Sequence, residues 1–320
     1  MTIAWVFPGQ GSQAVGMGRD LYEQFPAARA VFEEADATLG FPLTRLCFEG
    51  PEAELTATEN AQPALLTVST ALLRAMEETS GERLPSPQAV AGHSLGEYSA
   101  LVAAGALAFS DALRVVRRRG ELMAEAHEGS MAAVLGLDGE LLERICREVR
   151  DDLAAHPEPV STVVVANYNA PDQFVISGST VAVEQTVRAA KQRGAKRVIP
   201  LRVSAAFHSP LMSRAAEGMA RVVAGARIRP LRAPLIANVT AEPLLQPEEV
   251  RRELVTQVVA PVRWIASVQR MVHDGVTTFL EVGPGNVLNG LIRRIAPQAR
   301  RLNIAGADDV RTAHTTGTEG

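Results

Sequence analysis

Between the apolar run Ala89-Val90-Ala91 and a helix-patterned stretch through Ser99, Leu101 and Ala104, the chain reads Gly92-His93-Ser94-Leu95-Gly96. A serine with a glycine two residues away on either side, placed where a strand gives way to a helix, constrains the backbone severely. Chain before and after the serine must nearly touch, and only residues without a side chain permit that approach. The turn lifts the serine to the edge of a sheet, strained and exposed, where it can act as a nucleophile. A plainer reading of the same residues is a strand-to-helix turn with Ser94 as its N-cap.

The rest of the chain fits a sheet of that kind. Ile3–Phe7 reads as a buried strand running into Pro8-Gly9-Gln10-Gly11-Ser12-Gln13, and helical patterns follow over 27–39 and 62–78. Ser110 reads as the N-cap of another helix reaching about Ala126. From Gly129 to Val203 the rhythm changes to strand 131–137, helix 139–149, strand 160–168, strand 173–177, helix 181–192 and strand 196–203. That β-α-β-β-α-β order is the split βαβ pattern of a ferredoxin-like unit. Beyond it come a helix over 209–224, a strand over 235–239, a helix over 248–257 with Pro247 in its first turn, a helix over 264–274, a strand over 278–282 and a helix over 287–295. Alternating strands and helices imply a mostly parallel sheet covered on both faces. The expected organisation is therefore an α/β chain with a discontinuous large domain, 1–128 and 204–305, and a small domain, 129–203, inserted into it. The tail 306–320 has little to bury and is expected to be disordered.

At 320 residues with 47% hydrophobic and 21% charged residues, the chain is ordinary for a soluble globular protein. A net charge of −4 argues against a general nucleic-acid binder. No apolar run approaches the ~20 residues of a membrane helix, and the start, MTIAWVFPGQGSQ, does not read as a secretory signal. Cys47 and Cys146 stand in no metal or redox spacing and read as buried free thiols of a cytoplasmic protein.

A serine nucleophile needs a base. Of the six histidines, His156 lies in a proline-rich loop, His273 at an exposed helix end and His314 in the tail. His208, in Ala205-Ala206-Phe207-His208-Ser209-Pro210, lies between a strand and a helix, where a doubly wound sheet places its site. On pattern alone the plainer reading is a satisfied structural histidine. No acid stands out as a third member, because Asp111 and Asp172 are explained by a helix start and a turn. That weakens a hydrolase reading, whose usual order is Ser, acid, His.

Taken together, Phe7–Gln13, Gly92–Ala100 (GHSLGEYSA), Arg118-Arg119-Gly120, Asn167–Ala170, Phe207–Pro210 and Glu281–Gly285 resemble the malonyl-CoA:acyl-carrier-protein transacylases, including the acyltransferases of polyketide synthases. The resemblance runs from Phe7 to about Ile304. It implies an α/β-hydrolase-like large domain with an inserted ferredoxin-like small domain. It further implies that Ser94 carries the acyl group, with His208 as base, and that a backbone carbonyl, at Gln257, orients the histidine in place of an acid. The backbone N–H groups of Leu95 and Gln10 would form the oxyanion hole, each donor being worth on the order of 3 kcal/mol of barrier. Arg119 would grip the free carboxylate of a malonyl group, since a guanidinium binds carboxylate bidentately. From pattern alone Arg117-Arg118-Arg119 reads as a solvated basic face, and Arg117 and Arg118 keep that reading. His93, Asn167 and Phe207 are carried over as substrate-binding residues. Phe207 before the histidine looks like the malonyl-selective pattern, while Ala205 departs from the histidine many stand-alone relatives carry there.

The resemblance implies a holo acyl carrier protein as acceptor, coenzyme A thioester as donor, no permanent cofactor and no metal; monomer is taken as the default state. Arg188, Lys191, Arg193, Lys196 and Arg197, with Arg293 and Arg294 opposite, are candidates for docking an acidic carrier. Alternatives are another extender unit, an acyl hydrolase using the same residues, or a non-catalytic docking module. The motifs serve fatty-acid and polyketide supply alike.

Overall fold

The structure, a computed structural model, describes residues 2–316 apart from 82, 83, 127, 155–160, 202 and 204, with side chains placed as far as Thr312. Its strands, in chain order, are β1 (Ile3–Phe7), β2 (Ala89–Gly92), β3 (Ser130–Leu135), β4 (Val163–Ala170), β5 (Gln173–Gly178), β6 (Arg197–Pro200), β7 (Leu235–Ile236), β8 (Pro243–Leu244), β9 (Thr278–Val282) and β10 (Arg300–Ile304). They form two sheets, ordered β10-β9-β1-β2-β7-β8 and β4-β5-β3-β6.

In the first sheet β10, β9, β1, β2 and β7 run parallel and β8 returns antiparallel. Side chains alternate across it as a pleated strand requires. Ile3, Trp5, Phe7 and Val90 pack into one core with the helices Thr58–Ser80 and Phe109–Ala124. Ala4, Val6, Ala89 and Ala91 pack into another with Trp264–His273 and Val287–Ile295. Both faces are thus covered, which is why these strands read as continuous apolar runs.

The second sheet is antiparallel throughout. One side is covered by Leu142, Ile145, Cys146 and Val149 of helix Gly139–Ala154 and by Ala182, Val183 and Ala190 of helix Thr180–Gln192. With β5 between β4 and β3, this is the split βαβ arrangement. The chain leaves the large layer after Ala124 and rejoins it at helix Ser213–Gly225. The two parts are joined by backbone: Tyr168 N–H donates to Val262 O at 2.9 Å and Val262 N–H to Ala166 O at 2.8 Å.

Several expectations are corrected. The tail is not disordered over Ala307–Thr316, which forms a helix with Ala307 and Val310 buried. Its start is held by Asp20 Oδ2, which accepts the Ala307 N–H at 2.6 Å, a partner 287 residues away that no local pattern reveals. Residues 317–320 lie outside the described residues. Strand β10 was not expected, because its arginines mask it; charged side chains are usual on an edge strand. Helix Phe109–Ala124 begins one residue before Ser110, with Ala108 at its N-cap. The strand expected to reach Val203 ends at Pro200, and Pro210 turns the chain through a short 3₁₀ segment before the next helix. The strand expected from Val160 begins at Val163, and Val160 itself lies outside the described residues. Cys47 and Cys146 are buried free thiols, pushed up to about 12 chiefly by burial.

Candidate active site

Parallel pairing sets Phe7 opposite Gly92, and His93 N–H donates to Phe7 O at 3.0 Å. The Pro8–Gln13 loop and the serine turn therefore leave the sheet side by side at its C-terminal edge, the site-bearing edge of such sheets. Ser94 sits at φ +52°, in the left-handed region. A Cβ on Gly92 would lie 1.9 Å from the Gly96 carbonyl carbon, and one on Gly96 would lie 2.1 Å from Phe7 O. The two glycines are thus fixed by contact with backbone. Asn238 locks the turn from behind: its Oδ1 accepts the Ser94 N–H at 2.7 Å and its Nδ2 donates to Gly92 O at 2.7 Å.

His208, also at positive φ (+57°), brings Nε2 to 2.8 Å from Ser94 Oγ. Its Nδ1 faces two backbone carbonyls, Gln257 O at 2.8 Å and Ala260 O at 3.1 Å. Carbonyls only accept, so Nδ1 carries the proton and Nε2 is left to accept from the serine hydroxyl. Burial, then the nearby Arg119 charge, pulls the imidazole down to about 3, so it stands neutral. No acid takes part in this pair.

Arg119 is fully buried, on the inward face of its helix with Val115, Val116 and Leu122. Its Nη2 donates to Ser94 Oγ at 3.1 Å and to Gln257 Oε1 at 2.9 Å, and its Nη1 to Gln62 Oε1 at 2.8 Å. The guanidinium lies over the Tyr98 ring, 5.6 Å from its centroid. The basic-face reading therefore fails for Arg119 and fits Arg118, exposed beside Glu121 and Glu125, while Arg117 is half-buried, pairing with Glu121 at 2.8 Å and donating to Asn60 Oδ1 at 2.7 Å.

The remaining expected residues divide. Gln10 is exposed, its side chain 3.3 Å from Thr58 Oγ1. Leu95 opens the helix Gly96–Ala103, so its N–H belongs to the first-turn donors that a helix leaves free. Phe207 is buried beside His208. His93 donates from Nε2 to Asn169 Oδ1 at 2.8 Å, with its ring tilted against Trp264. Asn167 is buried in β4, bridging to Val262, so the asparagine that meets His93 is Asn169. A cavity of about 280 Å³ opens at His208, walled by Arg147, Arg150 and Tyr168 of the small domain and by Val259 and Pro261. Among the docking candidates, Arg193 is paired with Glu148 at 2.5 Å and Arg294 with Asp172, leaving Arg188, Lys191, Lys196, Arg197 and Arg293 exposed. His127 and His156 lie outside the described residues, as does the side chain of His314. Among the described residues no group of three His, Cys, Asp or Glu side chains could hold a metal, and no helix is long and apolar enough to cross a membrane.

Sequence reasoning missed Gln62, Asn238, Glu253 and the side chains of Glu97 and Gln257. Glu97 Oε1 accepts the Asn238 N–H at 2.6 Å, and its Oε2 accepts from Gln257 Nε2 at 2.5 Å. Only Glu97 had a signal, as an acid among apolar residues of a helix buried on every side.

The family model described as "Acyl transferase domain" matches residues 4–318. A malonyl CoA-acyl carrier protein transacylase of Bacillus subtilis is 46% identical over 98% of this chain and 96% of its own. An acyl-carrier-protein S-malonyltransferase from Bartonella henselae superposes with a TM-score of 0.93 at 44% identity, covering 99% of both chains. A malonyl-transacylase solved in complex with its type II polyketide synthase acyl-carrier protein gives a TM-score of 0.92 at 41% identity, over 99% of this chain and all of that one. Serine turn, carbonyl-held histidine and buried arginine thus sit on a shared fold at high identity, and the chain belongs to the acyl transferase domain family, among the malonyl-CoA:acyl-carrier-protein transacylases.

Proposed function

We propose that this chain transfers a malonyl group from malonyl-CoA to the phosphopantetheine thiol of a holo acyl carrier protein, by a ping-pong route through an ester on Ser94. The observation that carries the reading is the placement of one hydroxyl, Ser94 Oγ, within hydrogen-bond reach of both His208 Nε2 and Arg119 Nη2.

In the first half-reaction Ser94 Oγ bonds to the thioester carbonyl carbon as its proton passes to His208 Nε2. The Leu95 and Gln10 N–H groups receive the charge on the carbonyl oxygen. The carbon–sulfur bond then breaks, and the proton on Nε2 goes to the departing coenzyme A sulfur. In the second half the carrier's thiol gives its proton to Nε2 and its sulfur bonds to the ester carbonyl carbon; the carbon–Oγ bond then breaks and the proton on Nε2 returns to Ser94 Oγ. Arg119 holds the malonyl carboxylate, and Phe207 crowds a substituent on the carbon between the two carbonyl groups. Transfer needs no resident cofactor, because the thioester is already activated. One copy of the chain carries every group named, and we place the enzyme as a monomer in the cytoplasm. An acidic carrier would dock on the exposed basic side chains of the small domain.

Intact-protein mass measurement after brief incubation with malonyl-, methylmalonyl- and acetyl-CoA tests this. A malonyl adduct that requires Ser94, passes to added holo carrier and weakens in Arg119→Ala is expected. Steady release of free acid without an adduct would overturn it.

A further inference from the structure

Gln257 stands where the groups of the site meet. Its backbone carbonyl accepts from His208 Nδ1 at 2.8 Å. Its side-chain oxygen accepts from Arg119 Nη2 at 2.9 Å, while its Nε2 donates to Ser94 O at 3.0 Å and to Glu97 Oε2 at 2.5 Å. An amide can sit either way round with almost the same shape, so its hydrogen-bond partners decide the orientation. Turned over, Gln257 would set its NH₂ against a guanidinium and its oxygen against a carbonyl and a carboxylate, three mismatches at once.

The only carboxyl in that set is Glu97, itself fully buried. Its other oxygen is committed to the backbone N–H of Asn238, and the Asn238 side chain clamps both Ser94 N and Gly92 O. Arg119, for its part, ends on two amide oxygens and one hydroxyl, and among the described residues no carboxylate hydrogen-bonds to it. A buried guanidinium held only by neutral acceptors keeps its charge free for an incoming carboxylate, while the compensating negative charge sits one residue further back. Burial raises the carboxyls of Glu97 and its neighbour Glu253, the Glu253 charge adding to the rise at Glu97, and the two carboxyls meet in a hydrogen bond that favours one proton shared between them.

We propose that Glu97 is a positioning residue for acyl selectivity: by fixing which end of the Gln257 amide faces Arg119, it keeps the guanidinium aimed at the Ser94 hydroxyl with its charge unpaired. The inference rests on Arg119 being the malonyl-carboxylate residue. In Glu97→Gln the backbone N–H of Asn238 cannot move, so the new oxygen stays on it and the new NH₂ meets the NH₂ of Gln257. Gln257 then turns over and Arg119 loses one of its three acceptors.

The experiment is a double-mutant cycle of Glu97→Gln and Gln257→Met in the full chain, read as the ratio of kcat/KM for malonyl-CoA to that for acetyl-CoA, with Arg119→Ala alongside and circular dichroism on every variant. Glu97→Gln is expected to lower the ratio at least tenfold, with much of the change in KM for malonyl-CoA. Gln257→Met should do the same, and the double variant should lose no more than Gln257→Met alone. A folded Glu97→Gln whose malonyl and acetyl rates fall together overturns the proposal, as does full additivity in the cycle. If Glu97→Gln does not fold, Gln257→Met decides, and an unchanged ratio there overturns it. An unchanged ratio in Arg119→Ala instead removes the parent reading, a separate failure that the same data identify.

Discussion

Arg119 Nη2 and Ser94 Oγ lie 3.1 Å apart, so the cation proposed to hold the acyl carboxylate touches the atom proposed to carry the acyl group. Truncating one partner of a buried charge pair costs about 2–5 kcal/mol. Arg119→Ala is therefore expected to lower kcat/KM for malonyl-CoA roughly thirty- to several-thousand-fold. Acetyl-CoA, with no carboxylate to lose, should be much less affected. Competition between the two thioesters for one enzyme sample measures the ratio directly.

His208 is held near 3 by burial first and by the Arg119 charge second. The acid limb of kcat/KM that reports this base should therefore fall well below the ordinary histidine value of about 6.5. Removing the cation in Arg119→Ala should move the limb upward, because one of the two depressing causes is gone. A pH profile of self-acylation with acetyl-CoA reads both enzymes, and a wild-type limb near 6.5 would contradict the buried neutral imidazole.

The same group ties stability to pH. Unfolded, the imidazole takes a proton below about 6.5; folded, it stays neutral down to about 3. Within that window the unfolded state binds more protons, so this residue's contribution is complete above 6.5 and is lost as pH falls, by at most about 1.4 kcal/mol per pH unit. Urea unfolding at several pH values should show a shallower acid-side decline in His208→Gln than in the wild type.

The serine turn predicts a conflict between stability and function. With Ser94 at φ +52°, Ser94→Gly should be inactive yet more stable than Ser94→Ala by about 1 kcal/mol, since glycine alone is at ease there. Gly92→Ala should do the opposite, because the added carbon would lie 1.9 Å from Gly96 backbone and the turn must open. A loss of about 3 kcal/mol is expected, at the upper end of overpacking costs. Thermal denaturation of the three variants checks both statements.

What the sequence disclosed followed the reach of each interaction. The serine turn and the inserted β-α-β-β-α-β unit are local patterns, and both could be read by counting. His208 could be nominated by its place between a strand and a helix, but the carbonyls of Gln257 and Ala260 that set its tautomer lie 49 and 52 residues away. Arg119 looked like one of three surface arginines, and only the inward face of a packed helix separates it from Arg117 and Arg118. Asn167 and Asn169 share a face by strict alternation. The β4–β5 pairing, however, slips twice, between Val165 and Asn167 and between Tyr168 and Ala170, so counting along β4 cannot say which one meets His93. The tail helix was missed because its anchor, Asp20, is at the other end of the chain.

A histidine held by carbonyls has a consequence for the net charge of the cleft. Two carbonyl dipoles orient the ring and bring no net charge with them. A carboxylate in their place would have added a negative charge to the site. As built, a buried cation held by neutral acceptors stands beside a neutral base, and on the proposed function the malonyl carboxylate is the anion that completes it.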